Sequence, residues 1–473
     1  MAEFKLSDKV NPNKVFILKT SEIEKRLDPF YYIPEIKELE KKVRTKDIKP
    51  LRHFVKNVSS GATPKTTEKE KYYSDKENGI PFLRVQNLSP TGILDYEDCK
   101  YINKETHEGY LKRSQVNGGD LLIKITGVGR MAVASVAPDG FIGNTNQHMV
   151  IIKTGSKEVS TILASYLNSD IGEKLASRRA TGGTRPALDY PALLSIPIFY
   201  DERILTITKE SVDKKNKKQK EAKDLLASID TYLLDELGIT LPEKDNSLEN
   251  RIFTTKLSEV SGVRFDAISV NNSYLTEALK AGKYPVKKLK KITKNIRTGT
   301  TPSSKLKPYE NKGIVFLRNS DLQNGEITLK NVKYVKESLR EHLTFSTYND
   351  IIICIAGTVG ISAINKQDVD ISINQNVSSI TIKKEKINIE FINYYFNTKY
   401  NISIVRGFCS VATILYLNNE NLFNIPIPIP PIEKQTEIAN HITDIRNQAK
   451  QLELDAEQIM IEAKTKVEQI ILG

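Results

Sequence analysis

Two short loops, GATPK at Gly61–Lys65 and GTTPSSK at Gly299–Lys305, combine free backbone N–H groups, hydroxyls and a lysine. That mixture suits phosphate oxygens. Gly61, Thr63 and Lys65 would supply the contacts in the first loop, and Thr300, Thr301, Ser303 and Lys305 in the second. A second group follows the phrase Phe-Leu-Arg, which ends at Arg84 and again at Arg318. Gln86 and Asn87 stand behind one arginine, Asn319 and Asp321 behind the other. Gln and Asn side chains pair with adenine edges, and Arg with guanine, in the major groove of a duplex. Arg178, Arg179 and Arg185 flank the Gly-rich turn of SRRATGGTRPALDY, and Arg406 lies in the corresponding VRGFCSVATILYLN. Any one of these arginines reads equally well as a solvated side chain or part of a turn; the group as a whole points to a polyanion.

Familiar catalytic constellations are missing. The sequence has no Gly-x-x-x-x-Gly-Lys-Ser/Thr loop, no His-Glu-x-x-His and no Gly-x-Ser-x-Gly elbow. Nor does it have an Asn/Asp-Pro-Pro-Tyr/Phe loop that would set a flipped base beside a methyl donor. His53, His107, His148, His342 and His441 are scattered, none at metal-ligand spacing from another His or a Cys. Cys99, Cys354 and Cys409 are too far apart for a Cys-x-x-Cys site and support no disulfide framework. LLIKITGVGRMA places Gly127, Gly129 and Ala132 like a dinucleotide fingerprint. The corresponding IIICIAGTVGIS, with Gly357 and Gly360, breaks the spacing, which leaves a tight strand-to-turn transition.

The elements that must position these residues are written twice. Arg26 of RLDP answers Arg264 of RFDA, and Gly61 answers Gly299, both at an offset of 238. Downstream, Asp120 answers Asp350, Asn146-Gln147 answers Asn374-Gln375, and the Ile-Pro-Ile at Ile196 answers the one at Ile427, an offset of 231. The chain is thus two diverged copies of one unit, roughly 16–240 and 253–473, a period far longer than that of a solenoid. Each copy opens with a mixed segment, Phe16 to Asn57 and Phe253 to Lys294, followed by short β-rich pieces punctuated by Gly, Asn and Pro. This predicts an α/β module with a twisted, partly antiparallel sheet, left through a proline that stops the last strand.

Long helices follow. From Glu433 to Leu472, the residues Ile438, Ile442, Ile445, Ala449, Leu452, Ala456, Ile459 and Ala463 step by alternating fours and threes, with Ile470 one heptad further. That is a coiled-coil seam. Glu202–Leu237 is helical but less tidy, with Ile207, Leu225 and Ile229 among its apolar positions. Its middle run holds Lys214, Lys215, Lys217, Lys218 and Lys220, read as a solvated face or a basic stripe. A lone amphipathic helix is marginal in water, so each seam needs the other. A helix of 40 residues would be about 60 Å long, so heads at opposite ends of such a pair would be separated by about 15 to 18 base pairs of duplex at most.

The chain has 70 basic and 58 acidic residues, a net charge of +12, which favours a polyanionic partner. Its longest apolar run, near Ile351, is too short and too broken by glycine to span a membrane, and the first residues lack a signal peptide's apolar stretch. A cytoplasmic protein is expected.

Two α/β modules with G-x-T-P loops and F-L-R strands, ending in phrases such as IPIPPIEKQTEIA before a long helix, resemble the DNA-specificity subunit of type I restriction-modification systems. IPIFYDERI in the first copy departs from that pattern by lacking the paired prolines and the Gln. The resemblance implies an α/β (α+β) architecture with a pseudo-twofold internal repeat. Two target-recognition domains, 1–200 and 241–430, would alternate with two helices, 201–240 and 431–473, forming an antiparallel coiled coil. Each domain would read half of a split double-stranded DNA target, and the helices would set the gap and dock two modification (methyltransferase) subunits. S-adenosylmethionine would sit on those partners, and ATP with magnesium on a separate restriction/motor subunit. No cofactor or metal is expected in this chain, and no catalysis. A coiled-coil scaffold without sequence-specific DNA contact, and a self-contained methyltransferase or nuclease, are the alternatives.

Overall fold

The computed structural model describes residues 9–24, 26–241, 273–323, 325–383, 385–410 and 415–473. Arg264 and the start of the second opening segment lie outside the described residues. The chain forms two compact units, one of residues 1–219 with 453–473, the other of 220–452.

The strand Leu121–Lys124 is buried along its whole length, as expected of a strand covered on both faces. It lies in a four-stranded antiparallel sheet ordered Asn57–Ser60, Met149–Lys153, Leu121–Lys124, Ala134–Val136. Because side chains alternate, Leu121, Ile123, Val150 and Ile152 face one core with the helices Lys157–Asn168 and Asp170–Arg179. Leu122, Met149 and Ile151 face a second core, shared with Leu83 and Val116 of a five-stranded sheet. That sheet is ordered Tyr73–Ser74, Lys100–Ile102, Ile80–Leu83, Ile142–Thr145, Gln115–Asn117. The unit is therefore three layers: helices, four strands, five strands. The single sheet expected from the sequence is corrected to two, because the short β-rich pieces divide between two faces.

The second unit repeats this topology. Its four-stranded sheet runs Thr293–Thr298, Val377–Ile382, Ile351–Cys354, Ser362–Ile364, and its five-stranded sheet Tyr309–Glu310, Lys333–Val335, Ile314–Leu317, Ile371–Ile373, Phe345–Ser346. Each five-stranded sheet has one parallel pair, registered at Leu83 with Thr145 and at Leu317 with Ile373. Braces recur too. The Asn168 amide exchanges two hydrogen bonds with the Ala134 backbone (3.0 and 2.7 Å), as Asn397 does with Ser362 (3.2 and 3.0 Å).

The repeat also corrects one alignment. Leu51 N–H donates to Ile196 O, and Leu289 N–H to Ile425 O, each at 2.8 Å. Tyr166 and Tyr395 donate to Pro197 O and Pro426 O. The structural counterpart of Ile196 is thus Ile425, not Ile427, an offset of 229. Nor do the prolines stop the strands: Pro197–Phe199 pairs with Ile48–Pro50, and Pro426–Pro428 with Val286–Lys288. In two-stranded ribbons a missing N–H can face away from the ladder.

The helices Glu202–Leu237 and Ile432–Leu472 contain 36 and 41 residues. They run antiparallel within each unit. In the first, Lys218 pairs with Asp455 at 2.8 Å. In the second, Glu236 meets Lys434 at 2.7 Å, and the Tyr232 and His441 rings lie 4.3 Å apart. Ile438, Ile442, Ile445, Ala449, Ala456 and Ala463 are buried, while Leu452 and Ile459, like Ile207, Leu225 and Ile229 of the partner helix, are half-buried. Past Ala463 the seam moves to Val467 and Ile471 rather than Ile470. A straight helix drifts about 20° per heptad, and here it packs on the core beneath the four-stranded sheet. The lysine run is no free stripe: Lys214 and Lys220 pair along their own helix with Glu210 and Asp224, and Lys215 is half-buried. Among the described residues, no helix is long and apolar enough to cross a membrane.

Candidate nucleic-acid interface

The outer face of each five-stranded sheet carries the first group of residues. Gly61 and Gly299 let their loops lie directly on the backbone that follows the parallel strand pair. A Cβ on Gly61 would stand 1.6 Å from Thr145 O, and one on Gly299 2.1 Å from Asn374 O. The Thr63 hydroxyl donates to the Gln147 side-chain oxygen, and Thr301 to that of Gln375. The Asn-Gln landmark is therefore the anchor of the Gly-x-Thr-Pro loop in both copies. Thr63, Lys65, Thr300, Thr301, Ser303 and Lys305 are exposed. Gly61→Ala is expected to displace the first loop, costing about 1–3 kcal/mol by overpacking. Thermal unfolding would register it, and an unchanged melting temperature would contradict the close approach.

Beside each loop lies an aromatic shelf that the sequence reading missed. Tyr73 meets Phe82 edge-on at 6.4 Å, with Lys100 Nζ 5.5 Å over the Tyr73 ring. Tyr309 and Phe316 repeat the pair at 6.0 Å, with Lys333 Nζ 4.4 Å above Tyr309. The Tyr73 hydroxyl donates to Pro64 O at 3.0 Å, tying shelf to loop. Tyr73 lies nine residues before Phe82 and Tyr309 seven before Phe316, so only an alignment with a two-residue gap pairs the tyrosines. Burial pushes the Tyr73 phenol pKa up, and the nearby Arg84 charge opposes it.

Arg84 and Arg318 end the Phe-Leu-Arg strands, but the residues behind them differ in role from expectation. Asn87 is 3% exposed, and its side-chain oxygen accepts from Arg84 N–H at 2.8 Å. It caps the turn rather than offering an amide to a base. Asp321, likewise 3% exposed, accepts from Arg318 N–H at 2.9 Å. Gln86 is exposed and Asn319 half-buried.

Arg178 and Arg179 also require correction as surface contacts. They are 7% and 8% exposed, and both guanidinium groups bind Glu40, itself 4% exposed. Arg178 further stacks over Tyr31, 4.3 Å from the ring centre. Burial alone would raise the Glu40 pKa, but the hydrogen bond and charge of Arg179, with Arg44 and Arg178, hold it at about 2. Arg26 of the RLDP phrase donates to Arg179 O and Ala180 O at 3.0 and 2.8 Å, capping the end of the same helix. Arg185 and Arg406 are exposed.

Gly127 and Gly129, with φ of 121° and 83°, sit in the connection between the antiparallel strands Leu121–Lys124 and Ala134–Val136. A dinucleotide fingerprint needs a helix after the strand, so the topology here does not fit one. Among the described residues no group of His, Cys, Asp or Glu is placed to hold a metal ion.

Tandem α/β modules of two sheets and a helical layer, each closed by part of a long antiparallel helix pair, define the class of protein. Residues 282–462 match the family of the type I restriction modification DNA specificity domain. The type I restriction enzyme MjaIX specificity subunit of Methanocaldococcus jannaschii is 30% identical over 193 residues, 38% of this chain and 44% of that one. The EcoBI specificity subunit of Escherichia coli is 26% identical over 136 residues, 28% of each chain. These two alignments span less than half of either relative. The putative MjaX specificity subunit of M. jannaschii aligns over 437 residues at 22% identity, 90% of this chain and 92% of that one. Residues 282–462 thus match a type I specificity domain, and the chain is similar to specificity subunits of type I restriction enzymes over most of its length. Among solved structures, the HsdS subunit from Thermoanaerobacter tengcongensis covers 90% of this chain and 95% of its own, with 16% identity and a TM-score of 0.35.

Proposed function

We propose that this chain is the non-catalytic DNA-reading subunit of a type I restriction-modification complex. Residues 1–200 and 241–430 would act as two target-recognition domains, each reading half of a split target. The helices 201–240 and 431–473 would set the spacer and dock two modification subunits that carry S-adenosylmethionine. A restriction/motor subunit using ATP and magnesium would join them. The observation that carries this reading is the duplicated outer face, where a threonine loop and an aromatic–lysine shelf recur in the same order. Lysine over an aromatic ring, exposed hydroxyls and loop N–H groups suit a nucleic-acid backbone, and the net charge of +12 agrees. Lys65, Lys305, Gln86, Arg185 and Arg406 join the proposed contacts.

The test is single-molecule mapping of adenine methylation in a host carrying this chain and its modification subunit, against a host lacking the chain. A new split motif is expected, methylated on both strands. Exchanging Phe16–Pro197 should change one half of it, and exchanging Phe253–Pro428 the other. If the complex forms and binds its methyl donor yet no motif appears, the DNA-reading assignment fails and the scaffold reading takes its place.

A further inference from the structure

The two strand-end arginines occupy equivalent places but unequal electrostatic surroundings. In the second unit Asp321 grips Arg318 with both oxygens, accepting from Nε at 3.0 Å and from one terminal nitrogen at 2.8 Å. The same terminal nitrogen also donates to Asn331 O at 3.0 Å. The guanidinium thus ties the strand end to the segment thirteen residues on, and its charge is cancelled by a buried carboxylate. In the first unit the gripping position is Asn87. An amide has no charge and a single acceptor oxygen; that oxygen accepts from the Arg84 N–H, while the Arg84 Nε has no hydrogen-bond partner. Arg84 has no ion-pair partner among the described residues, and its Nε is buried without a hydrogen bond. Arg84 as a whole is only half-buried, and its terminal nitrogens make no hydrogen bond or ion pair within the described residues, so those nitrogens, rather than the enclosed Nε, are placed to meet an acceptor from outside the chain.

We propose that Arg84 is a specificity-determining DNA contact of the first unit, that Arg318 is a structural tie, and that the residue at 87 or 321 decides between the two roles. The inference rests on the DNA-reading function proposed above. The ligand is a paired acceptor on duplex DNA, either the O6/N7 edge of guanine or a phosphate. It follows that the two halves of the target are read with different chemistry, although the scaffold is duplicated.

The experiment uses the full chain with its modification subunit and a fluorescent duplex bearing the mapped motif, titrated against a scrambled duplex at several salt concentrations. Arg84→Ala is expected to weaken binding roughly 5- to 150-fold. A loss of base preference at one position would identify a guanine edge. A uniform loss, with the salt slope reduced by about 1, would identify a phosphate. Asn87→Asp should weaken binding to a similar degree without lowering the melting temperature, because it gives Arg84 the carboxylate that Arg318 has. Arg318→Ala should lower the melting temperature, since it strands Asp321, yet change DNA binding by less than about twofold when folded. The proposal is overturned if Arg84→Ala and Asn87→Asp both leave binding intact, or if Arg318→Ala weakens it as much as Arg84→Ala. Failure of the unsubstituted complex to prefer the motif duplex would instead sink the DNA-reading function itself.

Discussion

Replacing Glu40 with Ala is expected to cost about 3–5 kcal/mol, the range found when one partner of a buried ion pair is removed. The residue collects a bond from Arg44 at 2.7 Å, one from Arg179 at 2.7 Å and another from Arg178. Without it, two guanidinium groups under 10% exposed would remain charged in the interior. Arginine cannot escape by losing its proton. The loss should fall on the first unit, so calorimetry should show an early transition absent from the unsubstituted protein. A shift below about 1 kcal/mol would refute this account of the cluster. Acid should act on the same point. The folded pKa is about 2 against an ordinary 4.5. The stabilisation is therefore complete above about pH 4.5 and drains away as pH falls toward 2, in total of order 3 kcal/mol. The Glu40→Ala protein should lack that part of the acid slope.

The same cluster marks the limit of what the sequence could say. SRRATGGTRP looks like a basic surface turn because Arg178 and Arg179 stand beside Arg185, and nothing local names their partner. Glu40 lies more than 130 residues earlier, in the helix Pro34–Arg44, and a pairing at that range leaves no spacing to read. Arg26 stands out as a repeated landmark, but its job of capping the helix Asp170–Arg179 is equally remote. What was legible depended on period or on repetition. The seam of Ile432–Leu472 is visible because burial there follows sequence spacing, and it shifts past Ala463, where the helix meets a sheet-backed core as well as Ile204 of the partner helix. Duplication exposed the Gly-x-Thr-Pro loops, Phe-Leu-Arg and Asn-Gln. It did not reveal that Thr63 and Gln147 hold one another, because a shared landmark fixes position and not contact.

Asn87 against Asp321 shows why divergence between copies is more informative than agreement. Both residues cap the same turn through the same backbone N–H, so the fold accepts either. The difference of one charge then falls entirely on the neighbouring arginine. Substitution at a position the scaffold tolerates can thus change what the surface presents while the strands keep their register.

Ile471→Asp is expected to remove about 3–5 kcal/mol from the first unit while leaving the second intact. Ile471 is fully buried and Val467 is 3% exposed, both in the core that holds Ile123, Val150, Leu175 and Ile204. A carboxylate there meets no cation in the hydrophobic cluster and must be desolvated or open the packing. The end of the long helix is fastened further by Lys464, which bonds Asp170 at 2.5 Å, and by Glu468, which accepts from Asp170 N–H at 2.6 Å. The first unit is therefore completed by the last twenty-one residues, 453–473, and truncation after Leu452 should be more damaging still. Hydrogen exchange separates the units directly. Protection should collapse in Leu121–Lys124 and Met149–Lys153, and persist in Ile351–Cys354 and Val377–Ile382, which pack against residues of the second unit only. Equal loss in both sets would mean that the units do not carry separate cores. Under the proposed function the selective outcome has a further consequence: the methylated motif should lose definition in the half read by Phe16–Pro197 and keep it in the other, though the altered residue lies near the opposite end of the chain.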